Sequence, residues 1–333
     1  MPNAVLRWGP PVLSICCLGL LLVIMAGASL PAAITDIAFL ASFKILFLSI
    51  ILEAFPFILL GVLFSALLQV FVSEQWIARF TPRNPAAGVL YGSLLGLLFP
   101  LCECGMIPVV RRLIRKGLPA YIGIVYIIAG PIVNPVVFAS TWTAFRTRPE
   151  LAYSRAGLAL AVSITVGLLL YRFMRTSPLR TAREQHDHQH DHHARQGSSR
   201  IASTLAHASD EFFEMGKYLI FGALLTALIQ TAVTRETLAS IGDHPWFSHL
   251  FMMGFAFLLS ICSTSDAFVA ASFTGTFGAG SLLAFLVFGP MIDLKNTLML
   301  LSAFRVKVVL GLIAVIGLLV LIGSWLTERF YLT

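Results

Sequence analysis

Cys102-Glu103-Cys104 sets two thiols and a carboxylate in three consecutive residues. Cys262-Ser263-Thr264-Ser265-Asp266 sets a third thiol and a second carboxylate 160 positions later (102 and 262). Thiolates are soft ligands that select soft metals and metalloids, so these cysteines could hold a trivalent arsenical, Cu(I) or a similar thiophile. They could equally be small hydrophobes at a close-packed tip. Glu103, Asp266 and Asp293 lie in apolar stretches, where a charge is expensive and usually faces a cavity, a partner or a proton path. A carboxylate there could couple export to proton entry. Asp293 has Lys295 two positions on, so a structural ion pair or an interfacial position reads as well for it. The candidate solute-binding set is Cys102, Glu103, Cys104, Gly105, Asn134, Cys262, Ser263, Asp266 and Asp293. For Asn134, contact with a helix break is an equal reading, and Ser263, Thr264 and Ser265 can also bond freed backbone groups. The run His186-Asp187-His188-Gln189-His190-Asp191-His192-His193 could bind Zn, Ni or Cu through His186, His188, His190, His192 and His193, or simply keep a linker soluble. No phosphate-cradling loop, Ser-His-Asp set or zinc-protease pattern is present, so neither enzyme chemistry nor a resident cofactor is expected.

These residues need elements to hold them, and the composition says what kind. The 333 residues are 58% hydrophobic and 12% charged, with mean hydropathy +0.87. Soluble domains are about one quarter charged. The chain therefore reads as an all-α polytopic membrane protein, in contact with lipid. Its net charge of +7 fits basic cytoplasmic loops and gives no reason to expect nucleic acid. Cys16, Cys17, Cys102, Cys104 and Cys262 all sit in apolar runs, unlike a secreted disulfide framework.

Pro11 to Ala33 is uncharged and long enough to cross about 30 Å of hydrocarbon, and reads as a retained first helix. Residues 1–44 form that helix and its connection, 45–174 a first transmembrane repeat, 175–207 a His-rich cytoplasmic linker, and 208–333 a second repeat. Ile50 to Val72 and Leu151 to Met174 are spans. Glu53 and Glu214 recur at span starts and read as charges favoured at a helix N-terminus. Ala86 to Leu101 is too short to cross and ends at the Cys-Glu-Cys tip. Breaks are expected at Pro100, at Gly130-Pro131 and Pro135, and at Gly289-Pro290. Irregular backbone at membrane depth survives only inside protein or beside a water-filled path.

The second half repeats the first. Glu53, Gly61 and Gln69 return as Glu214, Gly222 and Gln230; Cys102 returns as Cys262; Gly130-Pro131 and Asn134 return as Gly289-Pro290 and Asp293. Interrupted segments in corresponding halves point to a secondary transporter's binding site. If the Cys segment is re-entrant, each half crosses three times and the halves are inverted, with Arg79, Arg83, Arg111, Arg112, Arg115 and Lys116 on the cytoplasmic face. If it spans fully, the halves are parallel and the basic loops fall on both faces. The positive-inside tendency favours inversion.

At these residues the chain resembles the predicted permease family that includes YraQ and the organoarsenical exporter ArsP. The likeness rests on Leu101-Cys102-Glu103-Cys104-Gly105-Met106-Ile107-Pro108-Val109, the basic loop ending Lys116-Gly117, the Gly130-Pro131…Asn134-Pro135 break, and Ser263-Thr264-Ser265-Asp266-Ala267-Phe268. It covers about residues 45–327. Members often carry Cys-Ser-Cys-Gly, so Glu103 adds a charge at the tip. The resemblance implies a permease and makes a trivalent, thiol-reactive substrate plausible. The expected function is export of a small thiophilic solute, such as an organoarsenical or a soft metal, by a secondary transporter, with an accessory permease subunit as a further partner. The alternative is a divalent-cation or other small-solute channel or permease subunit.

Overall fold

A computed structural model of the chain describes residues 38–71, 74–82, 84–98, 102–173, 200–232 and 245–332. The first apolar run with Cys16 and Cys17, the break at Pro100, and the His186–His193 run lie outside the described residues. Within them every regular element is a helix. The first half contains α1 (Ala38–Phe71), α2 (Glu74–Phe80), α3 (Pro85–Leu98), α4 (Glu103–Arg115), α5 (Ala120–Ala129), α6 (Pro135–Ala144) and α7 (Glu150–Phe173). The second contains α8 (Arg200–Ala232), α9 (Pro245–Leu259), α10 (Asp266–Ala271), α11 (Ala279–Met291), α12 (Leu294–Ala303) and α13 (Val306–Phe330). Leu40–Leu68, Glu150–Phe173, Ala279–Ala303 and Val306–Phe330 are each long and apolar enough to cross a membrane. The molecule is an all-α, multi-pass membrane protein.

Local sequence explains where several helices begin. The Asn84 side chain accepts from the Ala86 amide (3.2 Å) and Pro85 opens α3. Asn134 does the same for α6, accepting from the Val136 amide at 2.9 Å with Pro135 at the first helical position. Asn is a strong N-cap, and Pro costs nothing where the amide has no helical acceptor. Glu150 in the first turn of α7 and Arg172 in its last suit the helix dipole. Two boundaries differ from the sequence reading. One continuous helix, α1, begins at Ala38 and runs across the expected boundary at residue 44 into the span from Ile50. Helix α8 starts at Arg200, inside the stretch read as linker. Nothing in either sequence stops a helix: Arg200–His207 carries no proline or glycine.

Glycine contacts give the directions of the helices. Gly88 lies against Tyr121 and Ile122, Gly92 against Ile122 and Val125, and Gly96 against Gly130, so α3 and α5 run parallel. Gly123 meets Val110 and Ile114, and Gly130 meets Met106, so α4 runs antiparallel to α5. Helix α3 therefore goes in and α4 comes back. The Cys102 segment is re-entrant, with arms of 14 and 13 residues, about 20 Å each at 1.5 Å per residue. Helices α5 and α6 make one broken span. It is answered by α7, whose Tyr171 touches Tyr121 and whose Tyr153 touches Trp142.

Three crossings place the start of α1 and the end of α7 on opposite faces, so the second half starts its path inverted. Its contacts agree. Phe55 of α1 touches Phe212 of α8, while Phe43 and Phe47 pack with Ala223 and Ala227, an antiparallel pair. Backbone hydrogen bonds repeat with the same offsets as the sequence. Cys102 carbonyl accepts from Gly105 and Met106, and Cys262 carbonyl accepts from Ser265 and Asp266. Val133 donates to Ala129 and Phe138 to Asn134; Ile292 donates to Phe288 and Thr297 to Asp293. Inversion puts Arg79, Arg112, Arg115, Lys116, Arg305 and Lys307 at one face, the clustering that the positive-inside tendency leads one to expect. Helices α11 and α12 form the buried centre, and α1, α7 and α13 carry the exposed apolar residues expected of lipid-facing surfaces.

Candidate functional site

The two re-entrant tips enter from opposite faces and meet. Between them lies a small, partly open cleft. Cys102, Glu103 and Cys104 line it from the first tip, and Cys262 and Ser263 from the second. Five of the nine sequence-selected solute-binding residues thus share one cleft. The Cys102 and Cys104 thiols hydrogen-bond to each other. Cys262 Sγ lies 3.5 Å from Thr264 Oγ1. All three thiols are free, Cys104 buried and the other two half-buried. Glu103 is buried, with Oε1 unpartnered among the described residues.

The remaining four residues do other work. Gly105 is a crossing point. A Cβ on Gly61 would stand 2.5 Å from its Cα, and a Cβ on Gly105 would stand 3.0 Å from the Phe57 carbonyl. Small residues at such a crossing let two helix backbones touch. Asn134 and Asp293 are repeat-related N-caps, Asp293 accepting from the Asn296 amide as it starts α12. Asp266 sits behind the second tip, 2.7 Å from the Arg155 guanidinium of α7. The same guanidinium donates to Thr141 Oγ1 at 2.7 Å and to the Ser263 carbonyl at 3.2 Å. A first-half arginine thus fastens the second-half tip.

The expected breaks fall nearly where the prolines are. Gly130 caps α5 with Pro131 in the turn that follows, and Pro135 opens α6. In the second half Gly289 and Pro290 remain inside α11, and the chain breaks at Ile292-Asp293. Proline costs a helix only its bond to the residue four back. Near the end of α11 the last turn continues past it.

Three residues that the sequence reading left out of the site matter here. Lys295 lines the cleft. Its Nζ lies 3.5 Å from the Ser260 carbonyl, and its charge acts on Cys104, Asp293, Glu103 and Cys262. Ser260, at φ +51, is the non-glycine residue with a left-handed backbone among those described, and its hydroxyl accepts from the Lys295 amide at 3.2 Å. Arg155 is the second omission. The third is Glu53, which lines the open side of the cleft. It is not a helix-start charge, because α1 begins at Ala38, about four turns earlier. A recurring Glu in both halves was the signal that could have placed it; Lys295 and Arg155 recur in neither.

The chain matches the ArsP-type family described as predicted permeases over residues 39–329. The protein YcgR of Bacillus subtilis is 49% identical over 284 residues, 85% of this chain and 96% of that one. A Streptococcus mutans protein named as a two-component membrane permease complex subunit is 38% identical over 277 residues, 83% of this chain and 92% of that one. YraQ of Escherichia coli is 24% identical over 119 residues, 36% of this chain and 34% of that one. No solved structure matches. The chain belongs to this predicted permease family.

Proposed function

We propose that this permease exports a small thiophilic solute, such as a trivalent organoarsenical or a soft metal, through the cleft between its tips. The observation that carries the reading is convergence: Cys102 and Cys104 from one tip and Cys262 from the other line a single opening. Two or three thiolates from opposed elements suit a trivalent arsenical or Cu(I). Moving one tip relative to the other would change how many thiols reach the solute, so capture and release follow from the same motion. Lys295 supplies positive charge beside the thiols, offsetting the charge that thiolate ligands bring into an apolar layer. Glu103 and Glu53 at the same cleft favour a second reading, a divalent-cation permease, with the His186–His193 run loading metal. The name of the streptococcal relative supports a second membrane subunit working beside this chain.

The test is survival and accumulation in a metal-sensitive bacterial host challenged with methylarsenite, arsenite, Zn and Cu. Thiol-dependent export predicts lower arsenical or Cu content with the wild type and loss of that effect in Cys102→Ser at equal membrane expression. A variant lacking Cys102, Cys104 and Cys262 that still exports normally would sink it. A change in Zn content that ignores the cysteines but follows Glu103→Gln would establish the second reading. Co-purification from the native membrane tests for the partner subunit.

A further inference from the structure

The two helix breaks share a backbone and differ in chemistry. The first reads Asn134-Pro135-Val136-Val137-Phe138, and the second Asp293-Leu294-Lys295-Asn296-Thr297. At the second, Asp293, Asn296 and Thr297 stand at i, i+3 and i+4, on one face of α12. All three are at least nine-tenths buried: Asp293 is 1% exposed, Asn296 0% and Thr297 9%. Capping uses one oxygen of Asp293. Both amide atoms of Asn296 and the Thr297 hydroxyl find no partner among the described residues, while the Asp293 carboxylate also faces the Ser260 hydroxyl. Helix α12 packs on α4, whose first residue, Glu103, has a buried, unpartnered Oε1 and interacts electrostatically with Asp293. Buried polar atoms are normally bonded, and several unspent oxygens together call for an explanation.

We propose that Asp293, Asn296 and Thr297, with Glu103 across from them, form a site for one sodium ion that couples to solute movement. The donors are carboxylate, amide and hydroxyl oxygens, which suit a hard cation and not a thiophile. Charge selects the valence. With both Glu103 and Asp293 ionised and Lys295 positive, one further positive charge balances the site; Asp266 and Arg155 form their own pair. Glu53, at the open mouth of the cleft, is exposed and outside this count. Binding at this site would hold Glu103, and with it the Cys102 tip, against the second half. The site stands whichever solute the cleft takes.

The test is thermal unfolding of the full-length protein in detergent, with NaCl exchanged for KCl or choline chloride at a constant ionic strength of about 0.15 M. A ligand that binds the folded state raises the unfolding temperature saturably. We expect such a rise with sodium and none with potassium or choline. Asp293→Asn, which keeps a capping side chain as Asn134 does, should abolish the rise. Thr297→Val should move half-saturation to roughly tenfold higher sodium, the cost of about 1.4 kcal/mol for one lost ligand. Cys102→Ser should keep the wild-type response, separating this site from the thiol cleft. No sodium-specific rise in the wild type, or an undiminished rise in Asp293→Asn, would overturn the proposal. So would stabilisation by lowered pH with no response to sodium, since the site would then take a proton.

Discussion

The two tips are inverted copies of one backbone, held by different means. The Cys102 tip is fastened inside its own half by touching backbones at Gly61 and Gly105, and the far end of its helix by Lys116, whose ammonium donates to the Leu68 carbonyl at 2.7 Å. The Cys262 tip is fastened to the other half, by Arg155 on Asp266. Their supporting helices differ as well: α4 has 13 residues, and α10 has 6. One tip is a packed part of its own half. The other is a short turn pinned across the interface by charge. Duplication made the frame symmetrical, and the divergence of a few side chains assigned the tips different roles.

The largest test of that contrast is Arg155→Ala. It strands Asp266 as a buried, unpaired charge, which costs about 3–5 kcal/mol, read as a lowered unfolding temperature in detergent. Replacing both partners, Arg155→Met with Asp266→Leu, should restore most of that stability while impairing transport. Full stability in Arg155→Ala would mean that the second tip needs no cross-half anchor. Next comes Gly61→Ala, whose Cβ would stand 2.5 Å from the Gly105 Cα; overpacking of this kind costs about 1–3 kcal/mol. Its repeat partner gives the comparison. A Cβ on Gly222 would meet the Lys295 Cα at 3.2 Å, so Gly222→Ala should cost less than about 1 kcal/mol. Equal costs at the two glycines would remove the distinction between a packed and a pinned tip. The smallest effect concerns the caps. Asn134→Ala should lose about 1 kcal/mol, whereas Asp293→Asn in choline chloride should leave stability close to the wild type.

Much of this architecture could be read from residue types in order. Apolar runs gave the spans, and the near-constant offset between Gly130-Pro131 and Gly289-Pro290 gave the repeat and the first break, with the second falling at Ile292-Asp293, just past its proline. The cysteines reached one cleft because symmetry-related tips must meet at the centre. What stayed hidden was carried by pairs distant in sequence and absent from the repeat. Arg155 and Asp266 are 111 residues apart, and their positions in the opposite halves hold Ala314 and Met106. Lys295 corresponds to Val136. A residue that departs from its own copy was a usable signal, and reading the repeat only for agreement passed over it. Glu53 was misplaced for a simpler reason: the helix N-terminus had been set too late in the chain.

The Arg155 clasp also has a history within each molecule's synthesis. Arg155 emerges 111 residues before Asp266. At about 5–20 residues per second, the ribosome needs on the order of ten seconds to supply the counter-charge. During that interval the guanidinium sits in a nascent membrane segment with Thr141 as its nearby acceptor. An arginine deep in hydrocarbon is costly, so α7 has reason to remain near the interface or the insertion machinery until the second half arrives. Closure of the clasp then waits for the second half, and a polypeptide truncated after the first half would keep the Arg155 charge unanswered.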